Sequence, residues 1–297
     1  IEAHAFPSDH FAVESQIRQR GFDPATSLIA ISPREGSETL EPQDILDAIA
    51  QHGNELAVVL LPGVQYYTGQ VMPMEQITAA GHGVGAKVGF DLAHAAGNVP
   101  VRLHDWGVDF AAWCTYKYLN SGPGGVAGAY VHQRWLEDQT LPKLLGWWGT
   151  AKETRFQMKT TYEPIPTVES WQLSNAPILS MAALRASLDI VTEAGGIQAL
   201  RGKSLSQIRY FDQLLHAEIG EGVKNLTPSP LDERGAQFAL SITDPQVDGR
   251  KVYEDLEAAG VACDWRHPNV IRVAPVPLYN SFVDIYRFVH VLKGLLP

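Results

Sequence analysis

The sequence is poor in the residues that would make it a disulfide, metal or membrane protein. It has two cysteines, Cys114 and Cys263, each in apolar surroundings (AAWCTY and GVACDW). Two isolated thiols do not build a disulfide framework, so both read as buried free cysteines in a reducing compartment. Neither C-x-x-C nor H-E-x-x-H occurs, which argues against a dedicated metal site. The longest apolar run, LAVVLLPGV at 56–64, is too short to cross a bilayer. Basic charge is also scarce. With 23 Lys and Arg against 33 Asp and Glu, the net charge is −10, which disfavours nucleic acid and anionic membrane as partners. There is no low-complexity tract or internal repeat. The opening IEAHAFPSDH has no basic n-region and no apolar h-region, so it is not a secretory signal. It begins with Ile rather than Met and reads as a strand entered midway, so an upstream N-terminal part is expected.

What is present is an ordinary globular composition, 45% hydrophobic over 297 residues, long enough for about two domains. Strand and helix patterns alternate. LIAISP (28–33) reads as a short strand, EPQDILDAIAQH (41–52) as a helix with Ile45, Leu46 and Ile49 on one face, and ELAVVLLP (55–62) as a buried strand. A helix follows Pro73 to about Gly85. KVGFD (87–91) is a strand, AHAAG a short helix, and VDFAAW (108–113) and GGVAGAYV (124–131) further strands. This alternation predicts an α/β fold: a mixed, mostly parallel sheet covered by helices on both faces, with ligands at the carboxyl ends of its strands. A long helix closes at Gly195–Gly196. Beyond it come helices at 197–219, at 246–259 and from about Ser281, with strands at GVKNLTP, QFALSI, VACDWR and NVIRVAP. The chain therefore divides into a large domain, 1–194, and a smaller C-terminal α+β domain, 195–297.

Two segments carry chemistry. In WCTYKYLNSGPGG (113–125), Lys117 sits between two tyrosines, after an apolar strand and before a glycine-rich turn. A Schiff-base lysine needs a partly desolvated amine, which such surroundings supply, and glycines permit close approach of backbone to a ligand. A surface lysine between packed tyrosines fits the segment equally well. In GFDLAHAAGN (89–98), a strand ends in Asp91 and His94 follows. Pyridoxal phosphate needs a carboxylate against its pyridine nitrogen, because the protonated ring is the electron sink. An aspartate there is also a good helix N-cap. The combination D-x-x-H…Y-K-Y-x-N-x-G is far more specific than either half.

VGFDLAHAAGNV, LHDWGVDFAAWCTYKYLNSGPGGVAGAYVH and IRVAPVPLYNSF together resemble kynureninase, a branch of the fold-type-I, class V aminotransferase-like pyridoxal-phosphate enzymes. The resemblance runs from FPSDHFAVESQI to the last helix. It implies that the family's upstream part, with its phosphate-holding loop and Thr hydroxyl, is absent, and Pro62 stands where some relatives have Ser. It implies catalytic roles for Lys117, Tyr116 and Asp91. Lys117 would bind the cofactor and shuttle protons, Tyr116 would bond the phosphate and act in proton transfer, and Asp91 would pair with the pyridine nitrogen. His94, Phe6 and Asp9 would complete the cofactor site, with Phe6 stacked on the ring. Trp147 and Asn175 would reach the site from the partner subunit of a homodimer with shared active sites, and Asn175 would also contact substrate. Arg272, inside the apolar strand VIRVAP, would clamp the substrate carboxylate, for which its fork is suited. On residues alone, Asp9 and Asn175 are equally helix caps, whereas Phe6 offers a flat apolar face to a ring and Trp147 an indole N–H donor, with ordinary packing as the alternative for both. The implied activity is cytoplasmic hydrolysis of the Cβ–Cγ bond of L-kynurenine or 3-hydroxykynurenine to L-alanine and an anthranilate, in tryptophan catabolism and NAD biosynthesis. The alternatives are a desulfurase-like β-lyase, for which neither cysteine is well placed, and a non-catalytic fragment that binds no cofactor.

Overall fold

A computed structural model of the chain describes residues 1–138 and 140–297. Four strands form the first sheet in the order β1 (Val58–Pro62), β2 (Lys87–Asp91), β3 (Phe110–Trp113) and β4 (Gly128–Val131). The first three run parallel and β4 pairs antiparallel with β3. Four helices accompany this part of the chain: α1 (Pro7–Gln19), α2 (Pro24–Ser27), α3 (Pro42–His52) and α4 (Met74–Gly83). Alternate strand residues Val59, Leu61, Val88, Phe90 and Ala111 share a core with Ile45 and Ile49 of α3 and Ile77 of α4. Burial of such side chains contributes roughly 1.5–3 kcal/mol each. Helix α4 lies close on β2 because Gly81 has no side chain: a Cβ there would stand 2.4 Å from Cγ2 of Val88.

Helix cover is one-sided in places. On the other face Val58 is 50% exposed, and Ala112 and Ala129 are exposed. Two local expectations also change. Residues 28–33 form no strand, only a single bridge from Ile31 to Glu2, and Pro33 has no N–H to extend it. Residues 92–97 form turns rather than a helix, because Gly97, at φ +82°, ends the run after one turn. Both cysteines are free, and both are half-buried rather than buried.

A 16-residue helix, α5 (Ile178–Glu193), ends at Gly195 and Gly196, whose φ values are +90° and +76°. The second sheet is antiparallel, in the order β5 (Val223–Asn225), β6 (Phe238–Ile242), β8 (Val270–Val273), β7 (Asp264–Arg266). Around it lie α6 (Gly196–Glu218), α7 (Gly249–Ala258) and α8 (Phe282–Leu295). It has its own core, including Ile208, Phe211, Phe238, Leu240, Ile271 and Leu292. Asn98 bridges the two parts: its Nδ2 donates to the His94 carbonyl at 2.9 Å and its Oδ1 accepts from Ala236 N at 3.0 Å.

The amino end of the first sheet is tied by one carboxylate. Asp109, its side chain 4% exposed, accepts from Val88 N (2.8 Å), His82 Nε2 (2.8 Å) and Trp135 Nε1 (2.7 Å). These bonds outweigh burial and hold its carboxyl below the usual range. Asp109→Ala strands three donors and is expected to destabilise the chain by about 3–5 kcal/mol. A urea midpoint within error of the parent would contradict this.

Candidate active site

The parallel pairing of β2 with β3 sets Asp91 in register with Ala112, so both strand ends open onto the same edge. Leu92 N donates to Ala112 O at 2.8 Å, and the Asp91 carboxylate accepts from Ala93 N at 2.7 Å, which starts the turn that carries His94. Beyond β3 the chain enters the Lys117 loop. Thr115 Oγ1 lies 2.7 Å from Ser121 Oγ, Asn120 N donates to Lys117 O at 3.0 Å, and Ser187 of α5 donates to the Leu119 carbonyl. The turn and the loop meet at Gly97, where a Cβ would lie 2.9 Å from the carbonyl carbon and oxygen of Tyr118.

This contact brings Lys117 Nζ to 3.1 Å from His94 Nε2. His94 is buried, and its pKa is pushed down to about 2, first by burial and then by the charges of Lys117, Arg272 and Arg266. The imidazole is therefore neutral. When Nε2 accepts from the lysine ammonium, the ring proton sits on Nδ1, which is buried and has no partner among the described residues.

On the other side of the amine lie two carboxyls. The first turn of α1 presents Asp9 to Asp91, and burial followed by the charge and hydrogen bond of Asp91 pushes Asp9 up to about 6, against the opposing pull of Lys117. Below that pH the pair holds a proton. The Phe6 ring centroid stands 6.0 Å from Lys117 Nζ, and the ring meets Tyr66 edge-on at 5.2 Å. Of the flanking tyrosines, Tyr118 is buried and edge-on to His94, whereas Tyr116 is 52% exposed, its phenol raised by Cys114 and then by Asp91. A cavity of about 320 Å³ borders Asp9, Asp91 and Cys114. A larger one of about 600 Å³, between α4 and α6, is lined by Met74, Trp106, Arg201 and Arg209 and contains none of these side chains.

Arg272 projects from β8 with 11% of its side chain exposed. Its Nε donates to Asp264 Oδ1 at 3.0 Å, Nη2 donates to Asp264 Oδ2, and Nη1 to the Tyr66 carbonyl. The anion that a buried arginine requires is thus partly internal. Trp147 and Asn175 do not join the group within one chain. Trp147 packs on Trp148 and Phe156, with centroids at 5.1 and 5.9 Å. Asn175 is exposed and does not cap α5, whose N-cap residue is Pro177. Asp9 is likewise no cap, since α1 is preceded by Phe6. Pro62 is buried, opposite Asp91 in the sheet. Cys263, pushed up to about 11 chiefly by burial, is a poor nucleophile. Sequence reasoning missed Tyr66, Asp264 and Arg266. The signal was available for the last two: acid and arginine alternate in DWR, and Arg272 follows in the next strand.

A lysine in the loop after one strand, an acid at the end of its parallel neighbour and a second, antiparallel sheet are arranged as in pyridoxal-phosphate enzymes of known structure. A lysine-to-alanine mutant of the lyase C-DES, with glycine covalently linked to its pyridoxal-phosphate cofactor, superposes with a TM-score of 0.80 over 98% of this chain and 73% of that one, at 18% identity, a likeness of fold. Residues 200–292 match the kynureninase C-terminal domain. The kynureninase of Xanthomonas oryzae pv. oryzae (strain PXO99A) is 51% identical over 97% of this chain and 68% of its own length. That of Stenotrophomonas maltophilia (strain K279a) is 50% identical over 99% and 69%. The chain belongs to the kynureninase family.

Gly97→Ala is expected to cost at least about 1–3 kcal/mol from positive φ alone and to push the lysine loop away from His94. A melting temperature equal to the parent's would contradict the close approach described.

Proposed function

We propose that this chain is a pyridoxal-phosphate-dependent hydrolase that cleaves the Cβ–Cγ bond of L-kynurenine or 3-hydroxykynurenine, giving L-alanine and (3-hydroxy)anthranilate. The observation that carries this reading is the Lys117 amine 3.1 Å from a buried, neutral imidazole and facing the Asp9–Asp91 pair. The donor set suits the cofactor: an amine for its aldehyde, a carboxylate for its ring nitrogen, an aromatic face in Phe6, and in His94 a buried ring nitrogen with no partner among the described residues. When bound, pyridoxal phosphate supplies an electron sink conjugated with the substrate α-carbon.

The chain's own groups do the rest. Asp91 holds a proton at the pyridine nitrogen, supported by the hydrogen bond of Asp9. With the cofactor bound, the Lys117 amine would take the proton from the substrate α-carbon. His94 stays neutral and so accepts a hydrogen bond from the amine without adding charge. Tyr116, exposed beside the site, would hydrogen-bond the phosphate and act in proton transfer at the leaving carbon. Arg272 holds the α-carboxylate. Water adds to the substrate γ-carbonyl, and the Cβ–Cγ bond breaks as that hydrate collapses to the anthranilate acid.

Trp147 and Asn175 belong to the same reading through a second copy. Leu144, Leu145, Phe156, Met158, Ile178 and Leu179 are each more than half exposed around them, an apolar patch of the kind that subunits cover. We assign the chain to a homodimer with shared sites, with residues 1–194 as its cofactor domain and 195–297 as its small domain. Its setting is cytoplasmic tryptophan catabolism leading to NAD biosynthesis. No helix among the described residues is long and apolar enough to cross a membrane.

With pyridoxal phosphate added, release of fluorescent anthranilate from L-kynurenine tests the activity. Lys117→Ala is expected to lose the visible absorption band and the borohydride-stable label, and retention of both rules the assignment out. Asp91→Asn should slow turnover by roughly 100-fold or more, through loss of a charge-assisted bond at the ring. Near-parental turnover would remove Asp91 from that role.

A further inference from the structure

We infer that Asp264 and Arg266 complete the substrate-carboxylate site: Asp264 as the positioning residue that orients Arg272, and Arg266 as the cation that keeps the site positive. This rests on the assignment of Arg272 above and extends it to two residues that sequence reasoning passed over.

The β7–β8 hairpin places Asp264 directly across from Arg272. Asp264 takes the Nε–Nη2 edge of the Arg272 fork, and the Tyr66 carbonyl takes one hydrogen of Nη1. A guanidinium has five N–H donors. Three are engaged, leaving one on each terminal nitrogen, the number a bidentate carboxylate accepts. Asp264 therefore fixes the plane of the fork without consuming all of it, and the Tyr66 carbonyl anchors that fork beside Phe6 and Lys117.

Charge gives the second half of the argument. One carboxylate paired with one guanidinium is neutral and attracts no anion. Asp264, however, also accepts from Arg266, whose Nε and Nη2 lie 3.3 and 3.2 Å from its two oxygens. Two arginines share one aspartate, so the cluster carries a net single positive charge, the complement of one carboxylate. The Arg272 bond to the Tyr66 carbonyl, with the Tyr66 ring against Phe6 and Phe6 beside the Lys117 amine, sets the cluster at the Lys117 site, and the charges of both arginines help to lower the His94 pKa. Arg266 is 35% exposed against 11% for Arg272, so solvent screens its charge more than that of Arg272.

The test compares L-kynurenine with kynuramine, the same skeleton without its carboxylate, on the pyridoxal-phosphate-loaded protein. Asp264→Asn keeps the shape but replaces one acceptor oxygen with an N–H that cannot accept from the guanidinium. Because it also leaves the cluster more positive, a weaker hold on the carboxylate reports lost orientation of Arg272 rather than lost charge. It is expected to raise KM for L-kynurenine about tenfold or more, with a much smaller change in kcat and no change in the inhibition constant of kynuramine. Arg266→Gln should raise KM by about threefold to tenfold with the same selectivity, and Asp264→Glu should recover part of the loss. An unchanged or lowered KM in Asp264→Asn overturns the proposal, as does equal weakening of kynuramine, which would mark a general structural defect. A parent protein that neither binds nor cleaves L-kynurenine sinks the functional reading and this inference with it. A parent that does both, alongside an unaffected Asp264→Asn, sinks this inference alone.

Discussion

The contact between the Lys117 amine and the His94 imidazole is the constraint on which the site depends. At 3.1 Å it gives the lysine amine a defined position in the site. Three features of the fold impose it. Parallel pairing brings the ends of β2 and β3 side by side. The Asp91 carboxylate bends the chain after β2. Gly97 lets the resulting turn lie against the Tyr118 backbone. Each is local and modest in energy; the geometry comes from their coincidence, and a side chain at Gly97 would separate the two segments.

The electrostatics follow from burial. A neutral His94 lies between cations, Asp9 is raised beside Asp91, and Arg272 is screened by Asp264. Arg272 is paired with Asp264, but two other members of the group are not satisfied by the described residues. His94 Nδ1 has no acceptor among the described residues, and the carboxyl pair repels itself above a pH of about 6. Such unmet demands lower stability and are tolerated where a ligand meets them. The second sheet contributes through Arg272, and the Asn98 and Tyr66 bridges tie it to the first, so the site spans both parts.

Much of the fold was legible because its signals are local. The strand KVGFD is bounded as expected at Lys87 and Asp91, the helix from Pro42 closes at His52, and the Ser281 cap starts the last helix. The Lys117, Asp91 and His94 grouping was legible because strand ends in a parallel sheet share one edge. What escaped was long-range. The short, largely apolar run LIAISP at 28–33 pairs through only one bridge among the described residues, and nothing local reveals that. Residues 92–97 have helical composition, but a glycine at positive φ cuts them to a turn. Asp264 and Arg266 acquire meaning only once β7 lies against β8. Trp147 and Asn175 were singled out by resemblance, and one chain gives them no contact with Lys117.

The most direct measurement is a crystal structure of the chain grown with pyridoxal phosphate. The account predicts density continuous with Lys117 Nζ, the pyridine nitrogen within hydrogen-bonding distance of the Asp91 carboxylate, and the Phe6 ring against the cofactor. A cofactor joined to another lysine, or seated in the cavity between α4 and α6 with Asp91 facing solvent, would contradict it.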